Sequence, residues 1–147
     1  MISSLATRAE LAVYVENLPG AEGRVLSHLT ERGVGIDAIC SYSAGDWLIV
    51  LLVPDNPLLA KQALMSSGLD CKLNPVVVAN VETRMGITAR LNCMLKEAGV
   101  GILYSYMSCG EKQVMTAVFE TSDDVRAVET LAPYLSQGKF APVPRAA

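Results

Sequence analysis

Gly33-Val34-Gly35-Ile36 recurs unchanged as Gly99-Val100-Gly101-Ile102. The interval is 66 positions, and the same shift, without a gap, lays Val15 on Val81, Gly20 on Gly86, Arg24 on Arg90 and Leu29 on Leu95. One residue of slack then aligns Ala60 with Ala127 and Leu64 with Leu131. Matches strung along a single offset mark two copies of one supersecondary unit, so a site is to be sought twice or at the joint between the copies.

Around the first Gly-Val-Gly-Ile the order of elements is readable. Leu11-Ala12-Val13-Tyr14-Val15 is a strand, broken by Asn17-Leu18-Pro19-Gly20. Val25, Leu26 and Leu29 recur at helical spacing over 21–32, and Gly33 stops that helix with a left-handed cap. Strands follow over 34–42 and 47–53 around the turn Ser43-Ala44-Gly45-Asp46. A second helix starts with Asn56 as its N-cap and Pro57 at its first position, and ends before Gly68. Residues 69–73 close the copy as a strand.

The second copy repeats the plan: a strand over 76–81, a helical stripe of Ile87, Leu91, Met94, Leu95 and Ala98, and the cap Gly99. Hairpin strands lie over 102–107 and 113–119. A helix from about Ser122 carries Asp123 and Asp124 in its first turn, where carboxylates favour the positive dipole end. A weak final strand is expected within 134–143. Two β-α-β-β-α-β units make an α+β chain of tandem ferredoxin-like folds, antiparallel sheets with helices on one face. The expected domains are 10–74 and 75–143, joined by Asn74-Pro75 alone, a linker too short to let the units roam.

Composition narrows the function. The 147 residues are 51% hydrophobic and 18% charged, and no apolar run approaches the roughly 20 residues of a membrane span. Residues 1–10 lack the basic start and apolar core of a secretory signal, so a cytoplasmic protein is expected. Net charge is −3 and the 12 basic residues form no run, which argues against nucleic acid or an anionic membrane as partner. Cys40, Cys71, Cys93 and Cys109 form no CxxC pair and are read as reduced, mostly buried thiols, with no metal site. His28 is read as a helix-face residue, and Tyr104 and Tyr106 as packing on one strand face. With one histidine, no Gly-rich phosphate loop and no paired carboxylates, no catalytic residue and no cofactor are assigned.

The run Asn17-Leu18-Pro19-Gly20 before a helix, then Gly33-Val34-Gly35-Ile36 and a hairpin, resembles the ACT domain. Over about 10–143 the chain looks like a stand-alone tandem ACT protein, and Ile102-Leu103-Tyr104-Ser105-Tyr106 is similar to the second half of such tandems. The resemblance implies a regulatory module with an amino acid effector held at the joint between repeats. The loop between strand one and helix one of one unit would face the start of strand two of the other. Carried over, that names Asn17, Leu18, Pro19 and Gly20, with Gly86 in copy two, and Ile36 and Ile102 at the strand entrances. It also implies pairing of ACT units, hence a homodimer, and a regulated enzyme or other protein as partner.

The chemistry is consistent with this. A helix N-terminus suits a carboxylate, glycine admits close approach to the backbone, and Asn17 offers a donor and an acceptor. The family's frequent asparagine before Ile36 is Gly35 here and Gly101 in the second copy. Copy two has Thr83-Arg84-Met85-Gly86 where the pattern has Asn-x-Pro-Gly, and Arg84 is a candidate grip for a carboxylate. Binding at copy one is therefore expected to use Asn17 and backbone N–H groups, and binding at copy two to use Arg84. The competing reading is a ligand-free protein interaction module.

Overall fold

The computed structural model describes residues 2–136. Six antiparallel strands and four α-helices are assigned among them: β1 (Ile2–Glu16), α1 (Ala21–Glu31), β2 (Ile36–Ala44), β3 (Trp47–Pro54), α2 (Pro57–Ser66), β4 (Asp70–Glu82), α3 (Ile87–Glu97), β5 (Ile102–Cys109), β6 (Val114–Thr121) and α4 (Asp124–Leu131). A 3-10 turn, Ala132–Tyr134, follows. Contacts divide the chain into two compact units. The first is Ala9–Asn74; the second joins the residues up to Arg8 to those from Pro75 onward.

In the first unit the strand order is β2-β3-β1-β4, using β1 from Ala9 and β4 up to Asn74. Leu11 pairs with Leu52, Val13 with Val50 and Val15 with Leu48, so these side chains share one face by the period-two rule. That face packs against Val25 and Leu29 of α1 and Ala60, Ala63 and Leu64 of α2, all buried. In the second unit the order is β1-β4-β6-β5. Val77, Ala79 and Val81 meet Ile87, Leu91 and Leu95 of α3 and Ala127, Val128 and Leu131 of α4. The expected ferredoxin-like order of elements, with both helices on one sheet face, holds in the first unit; in the second both helices again share a face, but residues 2–8 of β1 take the strand place expected from 134–143.

The helix caps repeat as well. Gly33 and Gly99 both have φ of 73°. The N–H of Val34 donates to Leu29 O at 3.0 Å and that of Val100 to Leu95 O at 2.9 Å, the same closing bond in each copy. Asn56 accepts from the Leu59 N–H and Asp123 from the Arg126 N–H, so α2 and α4 start on side-chain caps. His28 lies on α1 with Nδ1 3.2 Å from Ser67 Oγ, and Tyr104 and Tyr106 stack with centroids 6.5 Å apart.

Three expectations are corrected. Asn74-Pro75 is no linker, because both lie inside the continuous strand β4. Pro75 is tolerated because pairing with β6 begins only at Val77, so its missing N–H breaks no rung there. The first strand does not start at 11 but at Ile2. Ile2 and Leu5 are buried in the second unit's core, and Ser3 Oγ donates to Asn80 O at 3.2 Å. Of the expected last strand, 134–136 hold the end of the 3-10 turn and one parallel bridge from Leu135 to Ile2; 137–143 lie outside the described residues. The single residue of slack falls in the hairpins: Ser43 pairs with Leu48 but Cys109 with Met115. The longer turn places Lys112 and Gln113 at φ of 55° and 59°.

Each copy also closes its second-strand entrance with a two-way backbone clamp. The Gly35 N–H donates to Asp55 Oδ1 at 3.1 Å, and the Asp55 N–H returns to Gly35 O at 3.0 Å. Gly101 and Ser122 do the same at 2.8 and 2.9 Å. A Cβ on Gly35 would stand 2.7 Å from Asp55 Oδ2, against 3.3 Å from Ser122 Oγ at Gly101. Glycine stands at both positions where the loop closes on the backbone.

Two measurements test this account. Leu5→Ala should lower unfolding free energy by about 2–5 kcal/mol in urea, since Leu5 is 1% exposed, whereas Leu18→Ala should change little. Gly35→Ala should cost roughly 0.5–1.5 kcal/mol by displacing the exposed Asp55 carboxylate. In an Asp55→Ala background that cost should nearly vanish; an undiminished cost would place the strain elsewhere.

Candidate functional site

The loops that open α1 and α3 share one backbone. Gly20 has φ 83° and ψ 2°, Gly86 has φ 81° and ψ −2°, and neither helix has a side-chain cap. The Ala21 N–H donates to Leu18 O at 3.0 Å and the Ile87 N–H to Arg84 O at 3.2 Å. Upstream, the Asn17 N–H donates to Asp46 O and the Thr83 N–H to Gln113 O, tying each loop to its hairpin. A glycine N-cap carries no acceptor. Among the described residues the N–H groups of Glu22 and Gly23, and of Thr88 and Ala89, therefore have no partner. α2 and α4, with Asn56 and Asp123, are closed where α1 and α3 are open.

Each open end borders a recess. The first, about 130 Å³, is lined by Leu18, Pro19, Gly20, Ala21 and Arg24. The second, about 190 Å³, is lined by Arg84, Met85, Gly86, Ile87 and Arg90, the same five positions shifted by 66. Of the loop residues expected from the sequence, Leu18, Pro19 and Gly20 line the first recess and Arg84 and Gly86 the second, while Asn17 is not in the lining. Arg24 and Arg90 are additions. The repeat aligns them, and a residue four beyond the glycine stands one turn into the helix above the open N–H groups. Asn17 is exposed, and its side chain makes no hydrogen bond among the described residues. A further recess of about 330 Å³ adjoins the second loop, lined by Glu82, Thr83, Arg84, Lys112 and Gln113.

Ile36 and Ile102 sit elsewhere in their own units. Each starts its strand just past the C-terminal cap of α1 or α3, while the loop lies at the N-terminal end. Eleven residues of helix separate the two ends by about 16 Å. Ile36 packs against the first core. Ile102 lines a recess of about 300 Å³ with Asn92, Cys93, Lys96 and Val100.

The two loops differ in charge. α1 carries Glu22 in its first turn, accepting from Ser41 Oγ at 2.9 Å; α3 has no acidic residue there, and Thr88 Oγ1 donates to Met107 Sδ instead. Arg84 is held by Glu82, both well exposed, a pairing of small worth in water. The Arg90 guanidinium lies 5.9 Å from the centre of the Tyr134 ring. Burial, then the Glu10 and Glu22 carboxylates, push the Cys40 thiol up. Burial also raises Cys71, with Asp70 adding to it and Lys61 opposing. The expectation of mostly buried thiols is corrected: Cys40 and Cys71 are half-buried, and Cys93 and Cys109 are exposed.

No curated protein matches the chain. Among solved structures it is similar to protein BT0572 from Bacteroides thetaiotaomicron, with 23% identity, TM-score 0.79, and 87% of this chain and 88% of that one covered. It is also similar to the regulatory subunit of aspartate kinase from Thermus thermophilus in a ligand-free form, at 14% identity and TM-score 0.66, covering 92% and 100%. Aspartate kinase from Synechocystis matches at 17% identity and TM-score 0.60, over 99% of this chain and 28% of that one. At these identities the structures show a shared fold. The sequence model of the ACT domain pair matches residues 6–135, nearly the whole described chain, and the chain therefore belongs to the ACT domain pair family.

Proposed function

We propose that this chain is a cytoplasmic regulatory module that binds an amino acid and passes the signal to a partner protein, with no chemistry of its own. The observation that carries this reading is the pair of open helix N-termini, built with one backbone geometry and bordered by equivalent recesses. Two unpaired N–H groups and the dipole of each helix offer a carboxylate a preformed seat. Each recess is small, which suits the head group of an amino acid. Ile36 and Ile102 lie at the far helix ends of their own units, so on this reading the apolar contact to an effector side chain is made by a different ACT unit. The solved relatives include a regulatory subunit of aspartate kinase, which supports a regulatory role.

The charges rank the two recesses. Glu22 opposes an incoming anion at α1, whereas α3 offers Arg84 and Arg90 and no first-turn carboxylate. In the second unit an effector carboxylate exchanges with Glu82 for Arg84, a substitution of one exposed ion pair for another with added N–H donors. At the first unit Asn17 supplies the polar side chain and Arg24 the cation.

Screening the common amino acids by thermal shift tests the reading. At a hundredfold excess over its dissociation constant a true effector adds about 2.7 kcal/mol, a midpoint rise of roughly 5–10 °C for a chain of this size. A flat response to all of them at millimolar concentration would favour the ligand-free interaction module. With an effector in hand, Arg84→Ala and Asn17→Ala separate the loops. Loss of a bond to a charged group costs about 1.5–3 kcal/mol and loss of a neutral one about 0.5–1.5 kcal/mol. Binding that depends on Arg84 should also weaken more steeply with salt.

With Ellman's reagent at mildly alkaline pH, exposed Cys93 and Cys109 should react first. Cys40 and Cys71 should lag, because a raised pKa leaves less thiolate, and the lag should shorten as pH rises. Early modification of Cys40 would contradict its partial burial and raised pKa.

A further inference from the structure

The recess of about 330 Å³ beside the second loop is built from polar groups of both signs: Glu82, Thr83, Arg84, Lys112 and Gln113. It shares Arg84 with the smaller recess at the open end of α3. The hairpin turn that supplies Lys112 and Gln113 is tied down. The Gly110 N–H donates to Val114 O at 2.8 Å, the Val114 N–H to Glu111 O at 3.1 Å, and the Thr83 N–H pins the turn to the loop through Gln113 O at 2.7 Å. Lys112 and Gln113 hold left-handed backbone there, so their side chains are set by the turn beside the Glu82–Arg84 pair. Glu111 precedes Lys112 and stands outside that lining, and Arg90 lines the smaller recess. With Glu111 counted, the three cations Arg84, Arg90 and Lys112 outnumber the two carboxylates. The first unit keeps the carboxylate, Glu16, at the position of Glu82, but Leu18 stands for Arg84 and Asp46 O takes the hydrogen-bonding place of Gln113 O.

We propose that the second unit selects a dicarboxylic amino acid, L-aspartate or L-glutamate. Its α-carboxylate takes Arg84, its α-ammonium takes Glu82, and its side-chain carboxylate takes the Lys112 ammonium and the Gln113 amide. This rests on the reading of the second loop as an effector seat and names the class of effector. Arg84 and Glu82 hold each other in the free chain. A carboxylic acid without an ammonium would win Arg84 only by leaving Glu82 unpaired and facing an anion. An α-amino acid carries both charges on one carbon, so it opens the pair and compensates each half. Lys112 is then the one lining cation of the larger recess left over, and a second carboxylate is the group that answers it. The first unit has no cation at the positions of Arg84 and Gln113, so the selection belongs to the second unit alone.

Calorimetric titration of the intact chain at low salt tests it, with L-glutamate and L-aspartate as probes. Glutarate is glutamate without its ammonium, and L-glutamine is glutamate without its second negative charge. Each should bind at least about tenfold more weakly than L-glutamate, the loss expected for one charged hydrogen bond. Succinate and L-asparagine are the matching comparators for L-aspartate. Lys112→Gln should close the gap between glutamate and glutamine while leaving the gap to glutarate. Glu82→Gln should close the gap between glutamate and glutarate while leaving the gap to glutamine. A general loss of structure would weaken all three together. The proposal is overturned if neither dicarboxylic amino acid binds, if glutarate or glutamine binds as well as glutamate, or if a variant leaves its own gap open. Should another amino acid raise the thermal midpoint while these two do not, this proposal fails and the effector reading stands; should none do so, both fail. Glu82 and Lys112 are exposed, and unchanged circular dichroism verifies folding. If Lys112→Gln does not fold, Lys112→Asn serves, since asparagine tolerates the left-handed backbone of that position.

Discussion

Each unit depends on a helix bracketed by two left-handed glycines. Gly20 and Gly33 bound α1, Gly86 and Gly99 bound α3, and their φ angles agree between copies to within 2°. A residue with a Cβ adopts this region at a penalty, so the chain turns at both ends of the helix where glycine stands. That bracket sets the helix at eleven residues and lays its apolar stripe on one sheet face. It also leaves the N-terminus without a capping side chain. The same constraint that positions the core therefore exposes the N–H groups on which a carboxylate can settle.

Much of this was legible because it repeats. The 66-residue offset carried the caps, the helical stripes, the strand order and the loop residues, each of which is a local signal. What was not legible was long-range. Nothing in Ile2-Ser3-Ser4-Leu5 reveals that these residues complete the core of the second unit, since few strong strand formers stand there and their partners lie some 75 positions away. Pro75 reads as a break because proline usually is one; whether it breaks a strand depends on which neighbour needs its N–H, and only the pairing register answers that. Arg84 looks unattached in sequence, although Glu82 two residues earlier holds it. Gly35 and Gly101 stand out in sequence only as replacements of the family's frequent asparagine, and their role as the near side of a clamp needs Asp55 and Ser122 in place.

The repeat also shows where the copies have parted. One cross-strand row in the first unit runs Tyr14, Ile49, Tyr42; the row at the same register in the second runs Asn80, Thr116, Ser108. The first is apolar and aromatic, with the Lys72 ammonium 6.0 Å from the Tyr14 ring centre. The second is hydrogen-bonded: Thr116 Oγ1 donates to Asn80 Oδ1 at 2.9 Å, and Asn80 Nδ2 to Ser4 Oγ at 2.7 Å. Backbone pairing is indifferent to this exchange, because a strand ladder uses only main-chain groups. The fold can thus be kept while surfaces diverge.

That separation of backbone from surface lets one supersecondary unit carry different side-chain chemistry in its two copies. Burial fixes the helix-facing residues, where a lost methylene costs about a kilocalorie per mole, and the glycine brackets fix the loops. The hairpin tip and the first helical turn answer to neither demand. Glu22 can replace Thr88, and Lys112 can enter with the extra hairpin residue, without moving a buried atom. Charge at these positions is then free to differ between the copies. The two loops keep one backbone geometry and differ in chemistry, Leu18-Pro19 in the first standing against Arg84-Met85 in the second.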